Sequence, residues 1–144
     1  MVVQPQSGFS SDDNGAGSLH DIPKKSVVAI VDDDDSVRSA MSKLLRLEGY
    51  EVHGFATAAD FLKSSQIFRT QCLVSDIRMP GSNGLEFHAR LLALGHHIPT
   101  IFMTGFPENK SRERALAAGA RGFLIKPFDG ALLIQLIEEA LGEA

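Results

Sequence analysis

Four short apolar stretches do most to limit what this chain can fold into. They are Val27-Val28-Ala29-Ile30-Val31, Cys72-Leu73-Val74, Thr100-Ile101-Phe102-Met103 and Gly122-Phe123-Leu124-Ile125. Each is too short to be a helix that buries one face, so the pattern predicts strands covered on both sides. Glu51 to Phe55 alternates polar and apolar residues, which suits a strand at a sheet edge. Helical spacing fills the intervals. Val37, Ala40, Met41, Leu44 and Leu45 form one stripe, stopped by Gly49. Thr57 to Asp60 resembles a capping box opening a helix that carries Phe61, Leu62 and Phe68. Asn83-Gly84 opens a third helix with Leu85, Ala89, Leu91 and Leu92, and Glu108 to Ala118 reads as a weak fourth with few apolar anchors, chiefly Ala115, Leu116 and Ala118, stopped by Gly119. Asp129 starts the last, with Leu132, Leu136 and Ala140 on one row and Leu133, Ile137 and Leu141 on the next. Five strands alternating with five helices predict an α/β fold with a doubly wound parallel sheet in the order 2-1-3-4-5.

A length of 144 residues fits one domain, placed at 26–142. Residues 1–25 are rich in Ser, Gly and Pro without an apolar period, and are read as a flexible N-terminal tail. A formal charge of −4 sets up no field to hold nucleic acid or an anionic membrane, so neither is expected as a partner. No apolar run approaches the ~20 residues of a membrane span, and the N-terminus lacks the pattern of a secretory signal. Cys72 is the single cysteine and reads as a buried small hydrophobe, in keeping with a cytoplasmic protein.

In such a sheet, ligands bind beyond the carboxyl ends of the strands, where the strand order reverses. Strand 1 ends in Asp32-Asp33-Asp34-Asp35, strand 3 in Asp76, strand 4 in Thr104 and strand 5 in Lys126-Pro127. Converging carboxylates repel one another unless a cation or a raised pKa relieves them. Hard oxygen donors in an open cluster favour Mg²⁺, and a lysine at the same rim suits a phosphoryl oxygen. These groups fit phosphoryl transfer to a carboxylate. Asp34 and Asp35 read as a solvated loop and helix cap.

The stretches VAIVDDDDSVRSAM, CLVSDIRMPGSNGLEF, IFMTG and GARGFLIKPF, in that order, resemble the receiver domains of bacterial two-component response regulators, the nitrogen-fixation regulator type in particular. The resemblance spans about residues 26–142. It implies a flavodoxin-like (βα)5 sandwich and a phosphoacceptor, Asp76, that takes a phosphoryl group from a sensor histidine kinase or phosphotransfer protein. It also implies Mg²⁺ held by Asp32, Asp33, Asp76 and the backbone carbonyl of Arg78. Lys126, entering a cis bond to Pro127, would hold a phosphoryl oxygen, and Thr104 would turn its hydroxyl onto the group. Phe123 falls at the aromatic switch position, although from the residues alone plain core fits it equally. Arg78 and Phe106, each two positions past a site residue, are expected to slow water attack on the acyl phosphate. The helix at 108–118 is expected to move on phosphorylation and, with the last helix, to offer a face for a downstream protein or a phosphorylation-dependent homodimer. Such a protein is a signalling phosphoacceptor that assists its own phosphorylation, not an enzyme with turnover.

Other readings fit less of the sequence. Asp32-x-Asp34 imitates the motif of a small haloacid-dehalogenase-like phosphatase, but Ser36 stands where Thr or Val is expected and the Asp76 segment goes unexplained. No glycine-rich phosphate loop supports a nucleotide-binding module. The five histidines show no metal spacing, and His96-His97 reads as an exposed connection. The start at Met1 with an uncut tail suggests a stand-alone regulator; a receiver separated from a DNA-binding output domain is the alternative.

Overall fold

The computed structural model describes residues 26–79, 82–106 and 110–142. The tail expected at 1–25 lies outside the described residues. Five parallel strands are present: β1 (Val27–Val31), β2 (Glu51–Phe55), β3 (Cys72–Asp76), β4 (Thr100–Thr104) and β5 (Gly122–Ile125). Their order is β2-β1-β3-β4-β5, as the pattern predicts. The helices are α1 (Asp35–Leu47), α2 (Ala58–Lys63), α3 (Gly84–Ala93), α4 (Ser111–Ala117) and α5 (Gly130–Leu141). A two-residue ribbon, Arg78–Met79 against Ser82–Asn83, links β3 to α3.

Strand β1 shows why the apolar runs are continuous. Val28 and Ile30 point to a core shared with Leu45 of α1 and Leu133 and Ile137 of α5. Ala29 and Val31 point the other way, to Phe61 of α2 and Phe87 and Leu91 of α3. All five β1 residues are at most 5% exposed, so period-2 alternation carries no polar face. Strand β2 sits at the edge, pairing only with β1 in the register Val27↔Glu51. That edge is guarded: Arg46 donates to the outward carbonyl of Val52 at 2.8 Å, which blunts pairing with another chain.

The helix starts follow their caps. Asp34, Thr57, Asn83 and Asp129 each accept a backbone N–H of the following turn. Gly84 lets α3 begin against the end of β3, where a Cβ would lie 2.4 Å from the Asp76 carbonyl oxygen. Three expectations need correction. Helix α2 ends at Lys63, and Phe68 lies instead on a short 3-10 helix (Ser65–Phe68), 79% exposed against His96. Helix α4 starts at Ser111 rather than at 108; Lys110 precedes it with φ 75° and no side-chain cap, and Glu108 lies outside the described residues. Of its supposed anchors only Ala115 is buried, beside Ile77 and Phe102, while Leu116 and Ala118 are exposed.

Among the described residues, His88 is a buried group that its helical stripe did not reveal. Its ring stands edge-on to Phe102 at 5.6 Å, and Nδ1 has no hydrogen-bond partner among the described residues. Burial lowers its pKa below 6.5, so as pH falls the unfolded chain takes up the proton first and stability drops. His88→Phe is therefore expected to lose less melting temperature than the wild type between pH 7 and 5. Equal losses in thermal melts would contradict this.

Candidate functional site

The carboxyl ends of β1, β3 and β5 bring three charged side chains together. The Lys126 ammonium donates to Asp32 Oδ2 at 2.7 Å and to Asp76 Oδ2 at 2.9 Å. Asp32 is fully buried and Asp76 is 7% exposed. Asp32 Oδ1 accepts from the Asp34 N–H at 2.9 Å, and Asp76 Oδ1 from the Arg78 N–H at 3.3 Å. Register explains the meeting: β3 lies between β1 and β4, with Val31 opposite Ser75 and Asp76 opposite Met103. The Lys126–Pro127 peptide is cis, as expected, and Lys126 N–H donates to the Thr104 carbonyl at 2.8 Å.

Burial raises the Asp76 pKa above 3.8, aided by the Asp32 charge, against the lowering effect of Lys126 and the Arg78 N–H. For Lys126 burial alone acts downward, but its bonds to Asp32 and Asp76 prevail and raise it above 10.5. The resting site thus holds two carboxylates around one ammonium. Exposed Asp33 adds a third carboxylate: one oxygen each from Asp32, Asp33 and Asp76 lie within 4.8 Å of one another. This hard-oxygen set fits Mg²⁺, which binds through a few carboxylates and keeps several waters.

A cavity of about 280 Å³ opens over these groups, bounded also by Asp34, Arg78, Gly105 and Phe106. The Arg78 guanidinium stands over the Phe106 ring, 5.1 Å from its centroid, within cation–π range. Thr104 is buried, and its hydroxyl oxygen accepts from the Phe106 N–H at 3.0 Å. Phe123 lies one layer away, half-buried against the Ile77–Phe102–Ala115 cluster. Asp34 caps α1, as expected, while Asp35, at the first position of α1, pairs with Arg38. Asp32, the nucleophile in the phosphatase reading, has both oxygens engaged and no exposure.

Two features escaped the sequence. One is the Arg78–Phe106 contact between separate loops. The other is Arg38, whose guanidinium donates to the Asp32 carbonyl at 2.6 Å. The Asp35–Arg38 pairing at i,i+3 was the only available signal.

A doubly wound α/β domain with a lysine-bridged acidic site at the point where strand order reverses has the architecture of a signalling receiver. Residues 28–138 match the response regulator receiver domain, and the chain belongs to that family, the receivers of two-component systems. It is 38% identical over 126 residues to Nodulation protein W of Bradyrhizobium diazoefficiens, covering 88% of this chain and 56% of that protein. It is 38% identical over 123 residues to Transcriptional regulatory protein FixJ of Azorhizobium caulinodans, covering 85% and 58%. A response regulator receiver protein from Burkholderia phymatum superimposes with a TM-score of 0.73 at 41% identity, covering 83% of this chain and 98% of that one. The chain thus spans little more than half of the two curated relatives. Receivers of this family are phosphorylated by histidine kinases and generally bind Mg²⁺ at an acidic pocket. Among the described residues, no helix is long and apolar enough to cross a membrane.

Proposed function

We propose that the chain accepts a phosphoryl group on Asp76 from a phosphohistidine of a sensor kinase or phosphotransfer protein. The observation that carries this is Asp76 itself, almost wholly buried on the ammonium it shares with Asp32. Its carboxylate attacks phosphorus, forming the O–P bond as the P–N bond breaks and the imidazole leaves with the electron pair. Asp32, Asp33, Asp76 and the Arg78 carbonyl would hold Mg²⁺, which when bound would neutralise the carboxylates and the incoming oxygens. Lys126 turns from Asp76 to a phosphoryl oxygen, and Thr104 leaves the Phe106 N–H for another. Phe123 then follows Thr104 inward and shifts α4, in which Ala115 is the one buried apolar residue. The chain thus assists its own phosphorylation and dephosphorylation without enzymatic turnover.

The output is a protein contact, in a single-domain regulator and in a receiver joined to a DNA-binding domain alike. Leu116, Ile125 and Leu132, on α4, β5 and α5, are 46%, 51% and 43% exposed and support a partner or homodimer face there. A cytoplasmic setting belongs to this reading. Its test is phosphoryl uptake from acetyl phosphate with Mg²⁺ and with EDTA: uptake is expected only with Mg²⁺, and equal uptake in both would overturn it.

The Arg78–Phe106 pair screens the acyl phosphate from water. Such a contact is worth ~0.5–1 kcal/mol, so Arg78→Ala and Phe106→Ala are each expected to shorten the phosphoryl half-life roughly two- to fivefold. An unchanged half-life in both variants would sink the idea.

A further inference from the structure

We propose that Arg38 is a positioning residue for the cation site, and that Gly54 supplies the slot through which it works. The inference rests on the Mg²⁺ reading above. Arg38 stands on α1 with its side chain only 21% exposed. Its stem lies across β2 at Gly54, where a Cβ would come within 3.0 Å of both Cγ and Cδ. The guanidinium then ties the β1–α1 turn to the first residue of α1. One nitrogen donates to the Asp32 carbonyl at 2.6 Å, and another pairs with the Asp35 carboxylate.

The held carbonyl belongs to the peptide joining Asp32 to Asp33. Asp32 and Asp34 have their own restraints: Asp32 is bound to Lys126 and to the Asp34 N–H, and Asp34 caps α1. Asp33 differs. Its carboxylate has no hydrogen bond or ion pair among the described residues and is exposed, so its aim depends on its backbone. A partner that orients a ligand in this way typically changes metal affinity by ~10–100-fold when removed. Arg38 also carries positive charge near a cation site, which acts in the opposite direction. Positioning and charge therefore predict opposite results for its removal.

The experiment is an NMR titration of the whole chain with Mg²⁺ alone, following backbone amides at the site, with thermal melts to verify folding. Arg38→Ala is expected to weaken Mg²⁺ binding roughly tenfold. Arg38→Lys, which keeps the charge but lacks the planar fork whose separate nitrogens meet the Asp32 carbonyl and the Asp35 carboxylate, is expected to stay weakened. Gly54→Ala, on a different element, is expected to weaken binding in the same direction by displacing the stem. Affinity unchanged or improved in Arg38→Ala, or restored in Arg38→Lys, would overturn the proposal. Saturable binding in the wild type with equal affinity in all three variants removes the role of Arg38 alone. No response in the wild type removes the metal reading, and this inference with it.

Discussion

Asp76→Asn takes up no phosphoryl group and yet melts at a higher temperature than the wild type at neutral pH. Loss of uptake follows from loss of the nucleophile, since an amide oxygen does not form the acyl phosphate. The gain in stability follows from the electrostatics. Burial and the Asp32 charge raise the Asp76 pKa above its ordinary 3.8, despite Lys126. Below that value the carboxyl is protonated in both states and costs nothing. Between 3.8 and the raised value the folded state holds more protons, so stability falls as pH rises, and the penalty is complete above the raised value. Asparagine keeps the shape, still accepts the Arg78 N–H, and leaves Lys126 paired with Asp32 at 2.7 Å. Melts of both proteins across pH check this: the variant's advantage should be largest near pH 7 and shrink toward pH 3. A variant less stable at pH 7 would contradict the account.

Lys126→Met should have the opposite effect on stability, and a larger one. It strips the shared cation from two buried carboxylates whose oxygens lie close together. Breaking a buried ion pair from one side costs about 3–5 kcal/mol, a large part of the ~5–15 kcal/mol that holds a domain together. The melting temperature should fall by roughly 10–20 °C at neutral pH. Mg²⁺ should raise it more in the variant than in the wild type, because the metal then relieves carboxylates that nothing else neutralises. Adding Asp76→Asn should recover part of the loss. Calorimetric melts with and without Mg²⁺ test this, and a fall of less than a few degrees would count against it.

The sheet and rim were legible in the sequence for a physical reason. Strands covered on both faces must be apolar throughout, so Val27–Val31 and Cys72–Val74 stand out, and a charged residue ending such a run falls on the ligand edge. Thus Asp32, Asp76 and Lys126 fall on one rim from the residue pattern alone. Other features lack a local signal. Helix α4 begins after Lys110, which has left-handed backbone and no capping side chain, so its start could not be read from residue types. Phe68 continues the apolar spacing of α2 but falls beyond the helix end at Lys63. His88 is a polar residue on a buried stripe, where composition points outward. The reach of Arg38 to the Asp32 carbonyl depends on its rotamer and on an absent Cβ across the sheet at Gly54. The meeting of Arg78 with Phe106 depends on two loops lying side by side.

The identity of the modified residue tests the central claim most directly. The whole chain is incubated with acetyl phosphate and Mg²⁺, the acyl phosphate is trapped by borohydride reduction, and the peptides are sequenced by mass spectrometry. The account predicts that Asp76, and no other carboxylate, is converted to homoserine. Conversion at Asp32 or Asp33, or no conversion with Mg²⁺ present, would contradict it.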